Sequence, residues 1–380
     1  MGKSREEEHI AFLHWLAESI QKHQVDVLIV AGDIFDTGTP PNYALELYYR
    51  FLTQLLGTQC KTIVILGGNH DSVSTLQTSS PLLKELNIYV VASGDENEER
   101  LIKCYKEDKL QAVICAVPFL RDSVVRKSIS GESSKEKDKS LAEGIEQYYK
   151  NIHKEALTLV GAEEIPIIAT GHLTTVGGKT SDSERELYIG NSLNITSDFL
   201  AELFDYVALG HLHHAQKVSH EHVRYSGSPI PLSFSEAGNE KSVSLITFSE
   251  KLLHIELLPI PLHRILHRLK GDQEHLKTQL SNIDDKSEWI EIEVQGDNTY
   301  ATLQSVQAYA DELELTILAK KLSQTEASAY QEDMDVVNLN EVSPYEVFER
   351  RLALDNIEDP ELTKALQTLF QSIETEVTTA

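Results

Sequence analysis

Four times along the chain a short apolar run stops at glycine, and the residues that follow include Asp, Asn or His. Residues 25–31 lead into Gly32-Asp33-Ile34-Phe35-Asp36, and residues 61–66 into Gly67-Gly68-Asn69-His70-Asp71. Residues 165–170 lead into Gly171-His172, and residues 206–209 into Gly210-His211-Leu212-His213. Short runs without alternation, separated by helical patterns, read as parallel strands covered on both faces. In such open α/β sheets ligands collect beyond the carboxyl ends of the strands. The glycines let the chain turn sharply there. The pattern therefore predicts an α/β fold in which four strand ends bring Asp, Asn and His to one rim.

The flanking patterns fill in the architecture. Residues 4–23 read as an amphipathic helix, with Ser4 and Glu7 fitting a capping box. Residues 43–56 and 141–160 read as further helices, and 122–140 as a polar loop. Additional strands are expected at 88–92, 110–117, 223–226, 243–248 and 252–258, the last three antiparallel. Pro259 and Pro261 mark a boundary. Beyond it the spacing predicts a βαβαβ unit: strand 263–270, helix 272–283, strand 289–294, helix 300–312, strand 313–320. Glu291 and Glu293 should line a wet face of strand 289–294. An acidic linker at 323–342 precedes two helices opened by Ser343-Pro344 and Asp359-Pro360, each with a capping residue and proline at the first turn. The expected domains are 1–259, 262–322 and a helical segment 343–376.

The residue types at the rim suit a divalent metal. A carboxylate such as Asp33 can bridge two ions, Asn69 offers an amide oxygen, and imidazoles offer nitrogen. Oxygen and nitrogen ligands without thiolate fit Mn, Fe or Zn. His211 and His213, two apart, project to one side of an extended segment. Two metals on a shared carboxylate clamp both oxygens of an in-line phosphoryl displacement. Each motif has a bland reading alone: Asp33 could cap a helix, and His172 could be a satisfied core histidine. The ordered set of four is what points to chemistry. Other histidines, including His9, His153, His267 and His275, lie in ordinary helix or strand patterns, and His214 breaks the alternation of its motif.

The same motifs resemble the calcineurin-like phosphoesterases. The stretches VAGDIFDTGTPP (30–41), LGGNHDS (66–72), IIATGHLTTVG (167–177), YVALGHLHHAQ (206–216), VRYSGSPIPLSF (223–234) and SPYEVFERRLAL (343–354) narrow the resemblance to the bacterial SbcD family of nuclease subunits. That resemblance implies a calcineurin-like sandwich of two sheets flanked by helices, with a small α/β cap. It implies Asp33 as bridging carboxylate, and Asn69, His172 and His211 as the other ligands of one ion. His213 becomes a ligand of a second ion and His70 the catalytic histidine. Asp36 and Asp71 are expected to support these groups from behind. It further implies two manganese ions, exonuclease and endonuclease cleavage of DNA, and an SbcC-type ATPase docked on the C-terminal helices. The assembly implied is a homodimer within a heterotetramer.

One element of the family pattern is missing. Its opening strand, ending in Asp-x-His, has no counterpart before Asp33, so a full ligand set is expected for one ion only. The expectation is that the reading frame continues upstream of Met1; a degraded, inactive copy that only scaffolds the ATPase is the alternative.

Charge and composition narrow the setting. A formal net charge of −26, most acidic per residue beyond Ile260, argues against broad electrostatic binding of nucleic acid by the chain alone. Bound cations can still dominate the field at the rim. Cys60, Cys104 and Cys115 lack metal-type spacing, and no apolar stretch reaches the ~18 residues of a membrane span. Glu6 breaks a myristoylation-like start at Gly2. A reducing, cytoplasmic setting is expected.

Overall fold

The fold was analysed in a computed structural model, which describes residues 3–95, 98–126, 134–181, 184, 187, 195–249, 252–296 and 299–322. In chain order the first part comprises α1 (Glu6–Lys22), β1 (Val27–Val30), α2 (Asn42–Leu55), β2 (Thr62–Leu66), α3 (Val73–Gln77), α4 (Ser80–Lys84) and β3 (Ile88–Val91). There follow β4 (Leu101–Lys106), β5 (Lys109–Cys115), α5 (Asp122–Val125), α6 (Ser134–Val160), β6 (Ile167–His172), α7 (Asp198–Leu203), β7 (Tyr206–Gly210), β8 (Gln216–Val218) and β9 (His220–Tyr225). A hairpin, β10 (Ser242–Ser249) and β11 (Leu252–Pro259), leads to β12 (Leu266–Gly271), α8 (Gln273–Ser281), β13 (Trp289–Val294), α9 (Thr299–Glu312) and β14 (Thr316–Leu322).

Two sheets stack between two helical layers. One is parallel, in the order β1-β2-β3; the other has six strands in the order β4-β5-β6-β7-β9-β8. Strand β2 shows why both of its faces are apolar. Ile63 and Ile65 join Ile20 of α1 and Phe51, Leu52 and Leu55 of α2, while Val64 and Leu66 pack with Ile102, Cys104 and Ile114 of the facing sheet. On the far side of the six-stranded sheet, Leu141, Ile145, Tyr149, Ile152 and Ala156 recur at helical spacing along α6. They cover Val113, Ala169, Val207 and Val223. The helix–sheet–sheet–helix sandwich is thus built by buried strands whose alternate residues serve different layers.

Several expectations need correction. Of the expected loop 122–140, residues 122–125 form α5 and 134–140 the start of α6, whose Lys/Glu-rich composition belongs to a solvated helix face, while 127–133 lie outside the described residues. Strands β4 and β8 were not anticipated. Strand β9 does not pair with the hairpin: it runs parallel to β7 and antiparallel to β8, while β10 and β11 pair with each other. The capping box at α1 does not form. Arg5 is the N-cap residue, without a side-chain cap, and Glu7 reaches Arg264 at 3.2 Å instead. The expected helices beyond 343 lie outside the described residues.

The last three strands form a separate parallel sheet, β12-β13-β14, with α8 and α9 packed through Leu276, Leu280, Val306 and Ala310 onto Ile290 and Ile292. Its other face is not wet as expected. Glu291 is buried between Arg268 and Lys321, each at 3.0 Å, and Glu293 pairs with Lys270. The sheet meets α1 at Trp289, whose ring lies under the guanidiniums of Arg5 (5.3 Å) and Arg264 (4.2 Å). Buried Glu8 accepts two 2.6 Å hydrogen bonds from Arg5. Among the described residues no helix is long and apolar enough to cross a membrane.

Candidate metal centre

The strand ends do converge. Asp33, His172 and His211 each bring a ligand atom within 4.8 Å of the others. His172 ends β6 and is only 1% exposed. Its Nδ1 lies 2.8 Å from the carbonyl oxygen of Ala31, which fixes the proton on that nitrogen. Nε2 then faces Asn69 Oδ1 at 2.9 Å and Asp33 Oδ2 at 3.2 Å. A lone pair aimed at two oxygens is an arrangement that a cation satisfies. The donor set fits the ion inferred from sequence: one carboxylate, one amide and two imidazoles. The three cysteines are buried elsewhere, with burial pushing the Cys60 thiol up to about 11 and the Cys104 thiol to about 12.

The glycines are required by close approach. A Cβ on Gly210 would lie 1.8 Å from the carbonyl oxygen of Ala31 and 3.0 Å from His172 Nδ1. One on Gly68 would lie 2.1 Å from Asp33 Oδ1. Two of the candidate ligands have left-handed backbone: Asp33 has φ +51° and His211 φ +92°, a region L-residues rarely occupy.

Electrostatics follow from this crowding. Burial raises the Asp33 carboxyl, but its close contacts with His172 and His70 overcome it and hold the group down at about 2. Burial, helped by the neighbouring His172, holds His211 down at about 3, so it stays neutral and its lone pair stays available.

Supporting residues divide. Asp71 accepts hydrogen bonds from the N–H groups of Gly68 (2.8 Å), Ile34 and Phe35 (3.0 Å each), tying the Asp33 loop to the Asn69 loop. Burial pushes its carboxyl up, and those three donors work against the push. Asp36 contributes mainly its carbonyl oxygen, 2.9 Å from His70 Nδ1; its carboxylate lies 3.5 Å away and is largely exposed. The His70 ring therefore presents Nε2, while its backbone N–H bonds Asp33 Oδ1 at 3.1 Å.

His213 does not join the Asp33 cluster directly. Leu212 is buried in the core, His211 turns to Asp33, and His213 Nδ1 lies 3.1 Å from Glu236 Oε1. Glu184 accepts from the His213 backbone N–H at 2.7 Å. Neither acid, nor Lys241 behind Glu236, was singled out from sequence, because none sits in a strand-end motif. Ser228, which joins them, lies inside the stretch 223–234 that carried the resemblance and was given no chemical role there.

Comparison with known proteins gives a consistent result. Residues 5–215 match the family model described as calcineurin-like phosphoesterase, and residues 263–356 the one described as type 5 capsule protein repressor C-terminal domain. The chain is 43% identical over 379 residues to the SbcD component of nuclease SbcCD from Escherichia coli strain K12, covering 97% of this chain and 93% of that protein. It is 33% identical over 276 residues to the corresponding SbcD component from Rhodobacter capsulatus, covering 70% and 67%.

Proposed function

The chain belongs to the SbcD nuclease subunits within the calcineurin-like phosphoesterases, and from that premise we propose that it hydrolyses DNA phosphodiester bonds with divalent metal, in both exonuclease and endonuclease modes. The observation that carries this reading is the convergence of Asp33, Asn69, His172 and His211 on one point. These four residues would hold one ion, and the family resemblance would give Asp33 and His213 a share in a second. Bound divalent ions, manganese in our reading, supply Lewis acidity toward a phosphoryl oxygen and lower the pKa of a water.

The protein's own groups do the rest. Burial keeps His211 neutral with its lone pair on the site, His172 turns Nε2 toward Asn69 and Asp33, and the low-lying Asp33 carboxyl keeps its charge across the physiological range. His70, with Nδ1 committed to the Asp36 carbonyl, offers Nε2 to exchange a proton with the leaving oxygen or to orient the phosphate. The separate β12-β13-β14 sheet supports a division near residues 259–262 into phosphoesterase domain and cap. A cap and a tail suit a polymer substrate better than a small phosphomonoester. We assign segment 343–376 to docking an SbcC-type ATPase in a cytoplasmic assembly of two copies of each chain. The acidic surface then leaves most DNA retention to the partner.

The test is cleavage of linear duplex DNA by the chain purified with its SbcC-type ATPase. Manganese-dependent degradation that chelator stops and His172→Ala abolishes is expected. Intact DNA together with hydrolysis of a phosphomonoester or cyclic nucleotide would replace this reading with a small-substrate one.

A further inference from the structure

A cavity of about 280 Å³ opens beside the histidine loop, lined among others by Lys179, Thr180, His214, Asn239 and Glu236. Its one acid is compensated from behind: Glu236 is 2% exposed, and its Oε2 accepts from Lys241 Nζ at 2.6 Å. The side chains of Lys179, Thr180, His214 and Asn239 have no partner among the described residues. Each carries at least one N–H or O–H donor, His214 in either protonation state. In a chain of net charge −26, the uncompensated charge on this wall is positive. The wall is also held in place. Gln216 of β8 accepts from the Lys179 N–H at 2.8 Å, and donates to the carbonyl oxygens of Lys179 at 2.9 Å and His214 at 3.2 Å. Just before Lys179, Gly178 lies so close to Leu212 that a Cβ there would stand 2.6 Å from a leucine methyl. Leu212 separates His211 from His213, so the segment carrying Lys179 is packed on the loop that serves the metal centre. His214 follows His211 by three residues, a chain reach of at most about 11 Å.

We propose that this cavity takes one backbone phosphate of the DNA strand being cut, with Lys179 supplying the charge and Thr180, His214 and Asn239 supplying further donors. The proposal rests on the nuclease reading above and names a subsite for its substrate. A phosphodiester brings a single negative charge and several acceptor oxygens. Lysine binds phosphate as a point charge, and hydroxyl and amide groups commonly complete the contact. Contacts of this kind set the register and orientation of the strand without reading its sequence. At a rise of about 3.4 Å per nucleotide, the reach from His211 puts the held phosphate within a few nucleotides of the scissile one. A single such contact is small beside what a partner chain can contribute, but it lies where it aligns the strand with the centre.

The experiment uses the chain purified with its SbcC-type ATPase, manganese, and single-stranded oligonucleotides cut at a fixed position. Each oligonucleotide carries one uncharged methylphosphonate, moved stepwise along the strand. With wild type, one position within a few nucleotides of the cut should raise KM about threefold to tenfold. Lys179→Met should raise KM for the unmodified strand by a similar factor, with the loss in KM rather than kcat. It should then be indifferent to the methylphosphonate at that one position, because both changes remove the same contact. The slope of log KM against log salt should fall by about 0.7, the share of one phosphate on a single strand. Lys179→Arg should restore both the slope and the position effect. Asn239→Ala repeats the test through a neutral donor and must show its coupling at the same position. Losses that simply add at every position, or an unchanged salt slope in Lys179→Met, would overturn the inference and leave Lys179 a solvated surface lysine. A wild-type complex that leaves DNA intact defeats the nuclease reading itself, and the inference with it.

Discussion

The two sides of the candidate centre are held by different means. On the Asp33 side, main chain does the holding. His172 leans on the Ala31 carbonyl, His70 on the Asp36 carbonyl, and Asp71 gathers three backbone N–H groups. On the His213 side, side chains do it: Glu236, Lys241 and Ser228 form the cradle. Main-chain holding needs glycine where chains touch, so it leaves a mark in the sequence. Side-chain holding needs only a compatible acid and base brought together by the fold: Gly227 marks the close approach to the His213 carbonyl, but nothing in the sequence marks Glu236 or Lys241.

The largest expected effect is on the main-chain side. Asp71→Ala strips the partner from three N–H groups, each costing roughly 1–3 kcal/mol when buried and unpaired. Against a total stability of ~5–15 kcal/mol this should lower the urea midpoint sharply or leave little soluble protein. A midpoint close to wild type would mean the two loops are tied together by something else.

Next in size is His70→Ala. In the manganese-loaded complex it should slow DNA cleavage by ~10²–10⁴ while leaving metal binding intact, because Asn69 and not His70 faces His172. Loss of metal instead would show the neighbours' roles reversed.

A smaller effect concerns pH. The unfolded chain takes up a proton on His211 near 6.5, whereas the folded chain resists until about 3. Between those values the unfolded state binds more protons, so stability falls as pH falls, by roughly 1.4 kcal/mol per unit from this group. Metal-free protein should therefore lose about 2 kcal/mol between pH 6.5 and 5 through His211. His211→Asn, which tolerates the left-handed backbone, should remove that part of the slope. Equal slopes for the two proteins would contradict it. Asp33 acts in the same direction in a lower window, its contribution lost as pH falls from 3.8 through about 2.

The smallest effect sharpens the contrast. Asp36→Ala removes an exposed carboxylate but leaves the carbonyl that holds His70. Stability should change by no more than about 0.5 kcal/mol and cleavage by no more than about twofold. A large loss would move His70 from the main-chain group to the side-chain group.

This contrast also explains what could be read before the structure. Asp33, His172 and His211 were legible because each follows a glycine at the end of an apolar run, and they come together as that pattern predicts. Most core strands were legible for the same reason. Strand β4 was not: buried Ile102 and Cys104 alternate with exposed Lys103 and Tyr105, and only its partner β5 makes it a strand. Helix α6 begins in residues that look like loop because solvent-facing helical turns share that composition. Glu7 satisfied a capping pattern, yet it pairs with Arg264, a partner 257 positions away that no local pattern contains.

The backbone at His211 carries one more consequence. A side chain other than glycine at φ +92° is held in place against its own preference. The fold would gain by placing glycine or asparagine there. This position is therefore one where evolution toward greater thermal endurance and evolution toward keeping an imidazole pull in opposite directions. Selection for heat tolerance alone, with no requirement for cleavage, should erode His211 early and leave the buried strands beneath it unchanged.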